Sequence, residues 1–260
     1  MSQDQNYYDK DHIDFLEKLW GDGYLSPGGV DEVKRIFGKT ETLNKTILDI
    51  GCGSGGIAVS MVKDYGVKKV IGIDVESAVC DAAIARVKKM GLEEKVEIKK
   101  VNTGPLIFID SSFDIVFSKD SIVHIEEKES LIKEIFRILK PGGFFLASDW
   151  LSSHDGEPSP EMAYYLELED LGFDMASPDR YERALKQAGF KNIILENRNK
   201  WYTVQARKEV DTLSKSRREE FEEISSAKYM DLSIETWNAM ISVLQTGEHC
   251  PHHIKAMKPN

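Results

Sequence analysis

The sequence predicts an α/β fold in which a parallel sheet is covered by helices on both faces. Short apolar runs bounded by glycine or charged residues recur through the first two thirds of the chain, as expected of buried strands. Helical patterns separate these runs, and strands that alternate with helices form parallel sheets of this kind. The length of 260 residues suits one core with an added cap, because single cores rarely exceed about 250–300 residues.

Five runs are predicted strands because each is short, apolar and bounded by turn residues or charge: "TILDIG" at 46–51, "KVIGID" at 69–74, "VEIKKV" at 96–101, "FDIVFS" at 113–118 and "GFFLASD" at 143–149. Helices are predicted between them at 54–66, 77–91 and 126–143. The last helix has Leu131, Ile135 and Leu139 at helical spacing before a Pro-Gly-Gly stop.

The pattern changes after Asp149. The remaining chain carries a polar loop at 151–160, predicted helices at 161–175 and 177–190, and predicted strands at 192–198 and 253–257. The helix at 177–190 has a serine N-cap, a proline in its first turn and a glycine stop. A long, mostly helical segment from about 207 to 246 separates the two strands, and we interpret it as a cap over one end of the sheet.

Composition and charge exclude several classes of function. The net charge of −10 and the pI near 5.2 oppose binding to nucleic acid, and we interpret the short basic run Lys215 to Arg218 as one solvated helix face. No window approaches the roughly 20 apolar residues of a membrane span, and the N-terminus has no secretory pattern. Three scattered cysteines indicate reduced thiols. We therefore expect a cytoplasmic protein without a nucleic-acid or membrane partner; the sequence does not indicate an oligomeric state.

A glycine-rich segment, "LDIGCGSGG" at 48–56, lies between a predicted strand and a predicted helix. Its glycines can adopt backbone angles closed to other residues, and they let a ligand approach the chain at the start of a helix. Asp74 ends the next strand about 25 residues later, at the spacing of an acid that binds a ribose. The sequence thus predicts a nucleotide-type cofactor site.

The segment "DIGCGSGG" resembles the D/E-x-G-x-G-x-G motif of the Rossmann-like, class I S-adenosylmethionine-dependent methyltransferases. The resemblance covers roughly residues 43–150 and implies a mostly parallel seven-stranded sheet with an antiparallel last strand. It also implies S-adenosyl-L-methionine as cofactor. The residues implied are Asp49, Gly51 and Gly53 for the methionine part, Asp74 for the ribose hydroxyls, Val75 beside the adenine and Asn102 for the adenine amino group.

Within this class, the chain looks like the small-amine group that includes phosphoethanolamine and sarcosine/dimethylglycine methyltransferases. The segments that carry this resemblance are "YYDKDHIDFLEKLWGDGYLSPGG" near the N-terminus, "FSKDSIVHI" at 117–125 and "SDW" at 148–150. By resemblance, Tyr8 and His124 form a catalytic pair over the amine, Ser26 and Ser118 contact the cofactor, and Asp120 lies on the substrate side. It also implies an N-terminal lid at 1–39, a cofactor-binding core at 40–150 and a substrate-binding cap at 151–260.

The chain departs from the phosphoethanolamine enzymes in its predicted cap. Where those enzymes hold phosphate with basic and tyrosine side chains, this chain has Glu167, Leu171 and Phe173. A phosphate dianion beside acids would lack a basic partner. Aromatic residues could instead surround an onium group by cation–π attraction, or they could simply pack as core; they are Trp150, Tyr164, Tyr165, Phe173, Trp201 and Tyr202.

The segment "GEHCPHHIK" at 247–255 gathers three histidines and a cysteine. His249, Cys250, His252 and His253 could bind a substrate carboxylate or a metal, or they could decorate an exposed loop. We predict no metal, because no acid or histidine at supporting spacing accompanies them elsewhere.

The sequence therefore predicts a methyltransferase of a small soluble amine such as sarcosine or dimethylglycine. Three alternatives stay open at this point. One is S-methylation of a thioether acid for osmolyte synthesis, which needs no base. Another is phosphoethanolamine N-methylation, and the last is a cofactor-binding regulatory protein without chemistry.

Overall fold

The structure is a computed structural model that describes residues 8–260, so the first seven residues of the predicted lid lie outside the described residues. Its centre is a seven-stranded sheet with the order β3-β2-β1-β4-β5-β7-β6. The strands are β1 Thr46–Ile50, β2 Lys69–Asp74, β3 Val96–Lys100, β4 Phe113–Lys119, β5 Leu139–Asp149, β6 Lys191–Asn197 and β7 His252–Met257.

The first five strands are parallel, and β7 runs antiparallel between β5 and β6. This confirms the predicted Rossmann-like methyltransferase fold with its antiparallel last strand. Asp149 at the end of β5 pairs with His252 at the start of β7. The carboxyl ends of the parallel strands and the beginning of β7 therefore meet at one edge of the sheet, where such folds bind ligands.

Ten α-helices are found in the described part of the chain: α1 Lys10–Trp20, α2 Gly29–Phe37, α3 Gly56–Lys63, α4 Ser77–Lys89, α5 Lys128–Ile138, α6 Pro160–Glu169, α7 Pro178–Ala188, α8 Asn199–Asp211, α9 Arg218–Glu222 and α10 Ala227–Thr246. A 3₁₀ turn at Ile122–His124 follows β4, and a π-helical turn at Thr212–Ser216 follows α8. We call α1 and α2 the lid helices, and α6, α8, α9 and α10 the cap.

The sheet separates two apolar cores because successive side chains of a strand point to opposite faces. In β4, Val116 packs with α5 and α7 on one face, whereas Ile115 and Phe117 pack with α2, α3 and α4 on the other. The cap has its own core, built by residues such as Tyr165, Tyr202 and Met240. Phe15 and Leu16 of α1 pack against Leu213, Phe221 and Met230, so an apolar cluster joins α1 to the cap.

Three predicted boundaries are wrong in informative ways. Helix α5 ends at Ile138, and Leu139 already opens β5, because Pro141 lacks the N–H that a helix would need. Helix α6 ends at Glu169, since Asp170 adopts a left-handed φ of 50°, and residues 171–176 run as an irregular segment. The helical excursion begins at Asn199 rather than near 207. Within residues 8–260 no helix is long and apolar enough to cross a membrane.

Candidate active site

The backbone of the glycine-rich turn between β1 and α3 is closely approached by other groups and has little room for larger side chains. Gly51 and Gly53 have left-handed φ angles of 70° and 54°, which favour glycine. A Cβ on Gly51 would lie 2.2 Å from the Ser121 hydroxyl, so no larger residue fits there. The Gly53 amide donates to Asp74 Oδ2 at 3.1 Å, which fixes the turn against the end of β2.

Asp49, at the end of β1, is 1% exposed, and neither of its carboxylate oxygens has a hydrogen-bond partner within residues 8–260. Burial, together with the charge of Asp74, raises the pKa of Asp49 to about 8. A buried carboxylate without a partner is costly unless a cation or donor meets it. S-adenosylmethionine carries an ammonium and a sulfonium, so this acid beside a glycine cradle fits that cofactor.

The other predicted cofactor residues surround the same edge. Asp74 accepts amide hydrogens from Gly53 and Glu76, one on each oxygen, and burial raises its pKa. Each oxygen keeps a further lone pair that a ribose hydroxyl could use. Val75, 46% exposed, and Asn102, also exposed, follow β2 and β3 with side chains open to solvent. An exposed apolar residue and an exposed amide at this edge are compatible with contacts to an adenine.

The end of β4 carries a buried ion pair. Lys119 Nζ lies 2.7 Å from Asp120 Oδ2 and donates to the Ser26 hydroxyl at 2.6 Å. Asp120 also accepts from Ser148 at 2.6 Å and from Tyr202 at 3.2 Å. Burial opposes ionisation, but the Lys119 charge outweighs it and holds the pKa of Asp120 below its usual range. The Asp120 carboxylate is thus ionised and well bonded, and through Lys119 it anchors the segment between the lid helices.

Ser118 lies one residue before Lys119 and makes a contact between two strands, while its implied contact with the cofactor stays a prediction. Its hydroxyl is fully buried and donates to the Ile50 carbonyl at 2.8 Å, across from β4 to β1. The side chain is therefore engaged in joining two strands. Ser26 is likewise engaged, as the acceptor of the Lys119 ammonium.

His124 ends the 3₁₀ turn after β4 and is accessible to solvent. Its Nδ1 lies 3.0 Å from the Leu171 carbonyl oxygen. Because a carbonyl only accepts, Nδ1 carries the proton of the neutral ring and Nε2 keeps a free lone pair. Burial of the ring among protein atoms lowers the pKa of His124, which favours this neutral form. His124 can therefore accept a proton or a hydrogen bond through Nε2.

Tyr8 lies between the cofactor side and the cap. Burial raises its pKa well above the ordinary value, and the nearby charges of Asp74 and Glu169 add to the effect. Its ring stacks on His12 with 5.2 Å between centroids. Within residues 8–260 the structure gives no direct bond between Tyr8 and His124, so their catalytic pairing stays a prediction.

A cluster of aromatic rings surrounds Trp150, which directly follows β5. Its ring centroid lies 5.5 Å from Phe173, 5.6 Å from His249 and 6.4 Å from Tyr202. Phe173 in turn lies 5.2 Å from His124, and His249 lies 5.6 Å from Tyr165. The predicted substrate residues Trp150, Tyr165 and Phe173 are thus linked to the predicted catalytic histidine by ring contacts.

Two of the aromatic residues lie away from this cluster. Trp201 contacts the ring of Tyr202 at 4.8 Å between centroids, and the Arg198 guanidinium lies 5.3 Å from the Trp201 ring. Trp201 also lines an outer groove that includes Trp20 and Gly28. Tyr164 is on the outer surface, where its hydroxyl donates to Glu235. On α6 the inward-facing side chain is Tyr165.

Glu169 is an acid of this site that sequence reasoning missed. Burial raises its pKa to about 7, although the neighbouring Tyr165 hydroxyl opposes the shift. The negative charge of Glu169 also raises the pKa of Tyr8 and of Tyr229 in α10. Glu169 therefore lies between the lid and the cap. Its four-residue spacing from Tyr165 places both on one helix face, and this spacing was the signal in the sequence.

His249 and Cys250 before β7, and His252 and His253 at its start, are all buried, so the exposed-loop interpretation is wrong. His249 Nδ1 lies 3.2 Å from the Leu151 carbonyl, and burial lowers the pKa of His249 to about 4. His252 Nδ1 lies 2.6 Å from the Cys250 carbonyl, whereas His253 Nε2 lies 2.7 Å from Glu32 Oε1. These side chains have separate partners, and no three His, Cys, Asp or Glu side chains in the described range are grouped to hold a metal ion.

The lid is fastened to the glycine-rich turn by contacts that the sequence did not reveal. Arg86 of α4 binds Glu17 of α1 at 2.8 Å and Asp22 at 2.7 Å, and its Nε donates to the Ser54 carbonyl. The Gly56 amide donates to the Gly23 carbonyl at 3.0 Å. Because these groups lie far apart in the sequence, their spacing gives no signal.

Comparisons with known proteins agree with this geometry. Residues 48–147 match the family described as "Methyltransferase domain". Phosphoethanolamine N-methyltransferase 1 of Zea mays is 34% identical over 89% of this chain and 45% of that protein. The chain spans about half the length of the curated relatives it matches first.

Solved structures share the fold over nearly the whole chain. Phosphoethanolamine N-methyltransferase 2 of Haemonchus contortus, in complex with phosphomonomethylethanolamine and S-adenosylhomocysteine, has a TM-score of 0.89 and 28% identity, covering 99% of this chain and 60% of that one. A Galdieria sulphuraria protein assigned as a sarcosine dimethylglycine methyltransferase has a TM-score of 0.82 and 20% identity, covering 96% and 99%. The sheet order, the glycine-rich turn with Asp49 and Asp74, and these matches show that the chain carries a class I, Rossmann-like S-adenosylmethionine-dependent methyltransferase domain.

Proposed function

We propose that the protein transfers the methyl group of S-adenosylmethionine to the nitrogen of a small soluble amine, such as sarcosine or dimethylglycine. The observation that carries this proposal is the combination of a neutral His124, an acid and aromatic rings at one edge of the sheet. Aromatic faces and a carboxylate attract a cation. The product would be a methylated or quaternary ammonium compound.

The residues divide the work as follows. Asp49, Asp74 and the glycine turn would hold the cofactor, which supplies a methyl group activated on a sulfonium. The amine lone pair forms the N–CH₃ bond as the S–CH₃ bond breaks, and S-adenosylhomocysteine is left. Before this transfer, the ammonium form of the substrate gives its N–H proton to His124 Nε2, which frees the lone pair; the Leu171 carbonyl orients the ring through Nδ1. The aromatic cluster and Glu169 would stabilise the positive charge on nitrogen.

Phosphoethanolamine is the second candidate substrate, because the Zea mays and Haemonchus contortus relatives are named for it. The charges of the site argue against it. Lys119 is bound to Ser26 and Asp120, and Lys128 donates to the Ile125 carbonyl and pairs with Asp174. A phosphate dianion next to Glu169 would compete with these partners for a cation. We therefore place an unphosphorylated amine first.

A screen with labelled S-adenosylmethionine tests the proposal. Glycine derivatives, ethanolamines, phosphoethanolamine and methylthio acids are offered separately, with and without chelator. We expect transfer to an unphosphorylated amine, and efficient turnover of phosphoethanolamine would contradict our interpretation of the cap. Turnover of a methylthio acid alone would support S-methylation, and binding of the cofactor with no transfer to any compound would support a non-catalytic role.

The variant His124→Ala sharpens the screen. It removes the proton acceptor, so we expect kcat to fall at least 100-fold, with cofactor binding retained. The control is His154→Ala, since His154 is an exposed histidine in the loop between β5 and α6. Equal losses in both variants would remove the role of His124.

A further inference from the structure

Within residues 8–260, three polar atoms of the aromatic cluster are buried and have no partner at normal hydrogen-bond geometry: Trp150 Nε1, the Tyr165 hydroxyl, which has Glu169 close by, and His249 Nε2. Tyr165 and His249 are fully buried, and each ring contacts the next within the cluster. Buried polar groups in folded proteins are nearly always bonded, so several orphans in one cluster indicate a missing partner. The proposed mechanism uses none of these atoms.

The chemistry of the three atoms restricts that partner. Trp150 Nε1–H can only donate, and the Tyr165 hydroxyl can donate or accept. His249 Nδ1 faces the Leu151 carbonyl at 3.2 Å, so in the neutral ring Nδ1 holds the proton and Nε2 accepts. The partner must therefore accept one or two hydrogen bonds and donate one.

We propose that Trp150, Tyr165 and His249 bind a hydroxyl group of the substrate, which makes that substrate an unphosphorylated amino alcohol. A hydroxyl can accept from Trp150 and Tyr165 while it donates to His249 Nε2. The inference rests on the proposed N-methyl transfer, and it places amino alcohols ahead of sarcosine among the candidate substrates. His249 and Tyr165 become specificity-determining residues that recognise the end of the substrate opposite the amine.

Charge supports a neutral hydroxyl over an anion. A carboxylate or phosphate has no hydrogen to donate, so His249 Nε2 would face it with a lone pair unless the ring were protonated. The pKa of about 4 keeps His249 neutral at pH 7. Glu169, next to Tyr165, would also repel an anion.

The test compares substrates that differ only at this end: N-methylethanolamine, its O-methyl ether and sarcosine. The ether keeps the acceptor oxygen but loses the hydrogen that His249 would accept. We expect N-methylethanolamine to be used with the lowest KM, and the ether to have a KM roughly three- to tenfold higher, the effect of one neutral hydrogen bond. In His249→Phe this difference between alcohol and ether should disappear.

Tyr165→Phe gives an independent readout if His249→Phe folds poorly. Within residues 8–260 its hydroxyl has no partner at normal hydrogen-bond geometry, although Glu169 lies nearby, so its removal should change the melting temperature little. The KM for N-methylethanolamine should nevertheless rise roughly three- to tenfold. The matched control is Tyr164→Phe, the neighbouring tyrosine on the outer surface, which should change neither value.

The outcomes separate the two proposals. If cofactor binds but no amine is methylated, the proposed function fails. If sarcosine is methylated in preference to N-methylethanolamine, or Tyr165→Phe leaves KM unchanged, the function stands and the hydroxyl site is overturned; the orphan atoms then bind water only.

Discussion

Asp49 shows how a single buried acid can work against stability while it serves binding. Its folded pKa of about 8 lies above the ordinary value for an aspartate, so the folded protein without cofactor prefers the protonated acid. Stability from this preference is complete below the unfolded pKa and is lost as pH rises through about 8. At neutral pH and above, Asp49 therefore lowers the free energy of unfolding of the cofactor-free protein.

The variant Asp49→Asn tests whether Asp49 lowers folding stability while it supports cofactor binding. Removal of the buried charge should raise the melting temperature of the free protein at pH 8, and the gain should vanish near pH 4, where Asp49 is protonated. Affinity for S-adenosylmethionine should fall at least tenfold. Calorimetric melting with and without cofactor measures both effects. A lower melting temperature at both pH values would contradict the argument.

The proposed role of His124 leads to a prediction about the pH dependence of kcat/KM. Its lowered pKa places the acid limb of the kcat/KM profile below about pH 6.5, because protonated His124 cannot take a proton from the amine. In His124→Gln this limb should be lost, while the limb set by the amine of the substrate persists. Rates measured from pH 5 to 9 decide the point, and an unchanged acid limb in the variant would exclude His124 as the group that titrates.

For single residues, the sequence predicted which acids and aromatic side chains lie near the edge of the sheet, but it did not predict their hydrogen-bond and ring partners. Asp49 and Asp74 could be named because they stand at fixed distances from glycines along the chain. Arg86 could not, since its partners lie on other elements, whereas Glu169 was missed although its four-residue spacing from Tyr165 on α6 was visible in the sequence. His249 was named as a candidate ligand of a substrate carboxylate or a metal, but its burial and tautomer follow from packing that the sequence does not display.

Among the elements, the lid helix α1 has a specific attachment. Arg86 joins Glu17, Asp22 and the Ser54 carbonyl, so one guanidinium of α4 connects the lid with the glycine-rich turn. The Arg86 and Glu17 side chains are only 14% and 17% exposed, so this pair is stronger than an exposed ion pair. We infer that α1 and α2 move when cofactor exchanges, and this attachment should limit that movement.

We expect Arg86→Met to accelerate release of S-adenosylmethionine several-fold while the fold is retained. Stopped-flow displacement measures the dissociation rate, and circular dichroism checks the fold. Arg183→Met is the matched control, because Arg183 makes only an exposed contact with Asp155 outside the lid. A dissociation rate equal to that of the control would show that Arg86 does not hold the lid.

The boundaries of helices were predictable where capping and stop residues mark them in the sequence. Helix α7 begins at its serine cap and ends at its glycine as predicted, because caps and stops act locally. The end of α6 was not predictable, since a left-handed Asp170 needs no glycine or proline to mark it. The segment after it reaches Phe173, which contacts His124, so the missed boundary is also what positions an aromatic residue of the site.

Across the whole molecule, a buried ion cluster joins distant parts of the chain. Glu32 of α2 is 2% exposed and accepts two hydrogen bonds from Arg198, which precedes α8, and it lies 2.7 Å from His253 of β7. Lid, cap and the last strand meet in this one cluster. Two of its members, Glu32 and Arg198, are 166 positions apart in the sequence.

Arg198→Ala should destabilise the protein by about 3–5 kcal/mol, because it leaves the Glu32 carboxylate buried without its main partner. Urea unfolding measures the change. Arg35→Ala is the control: Arg35 lies 3.9 Å from the same carboxylate but its side chain is 56% exposed, so its loss should cost no more than about 1 kcal/mol. Similar losses for both variants would show that burial does not govern the cluster.

The position of β7 between β5 and β6 has a consequence for how such proteins diversify. Most of the cap lies between β6 and β7, which pair with each other, so it is formally one very long hairpin connection. The entropy of closing a connection grows only with the logarithm of its length, and doubling one of roughly fifty residues costs about 0.6 kcal/mol. The sheet can therefore tolerate large rearrangements of this insert, and new acceptor molecules can evolve there while the methyl-donor half stays fixed.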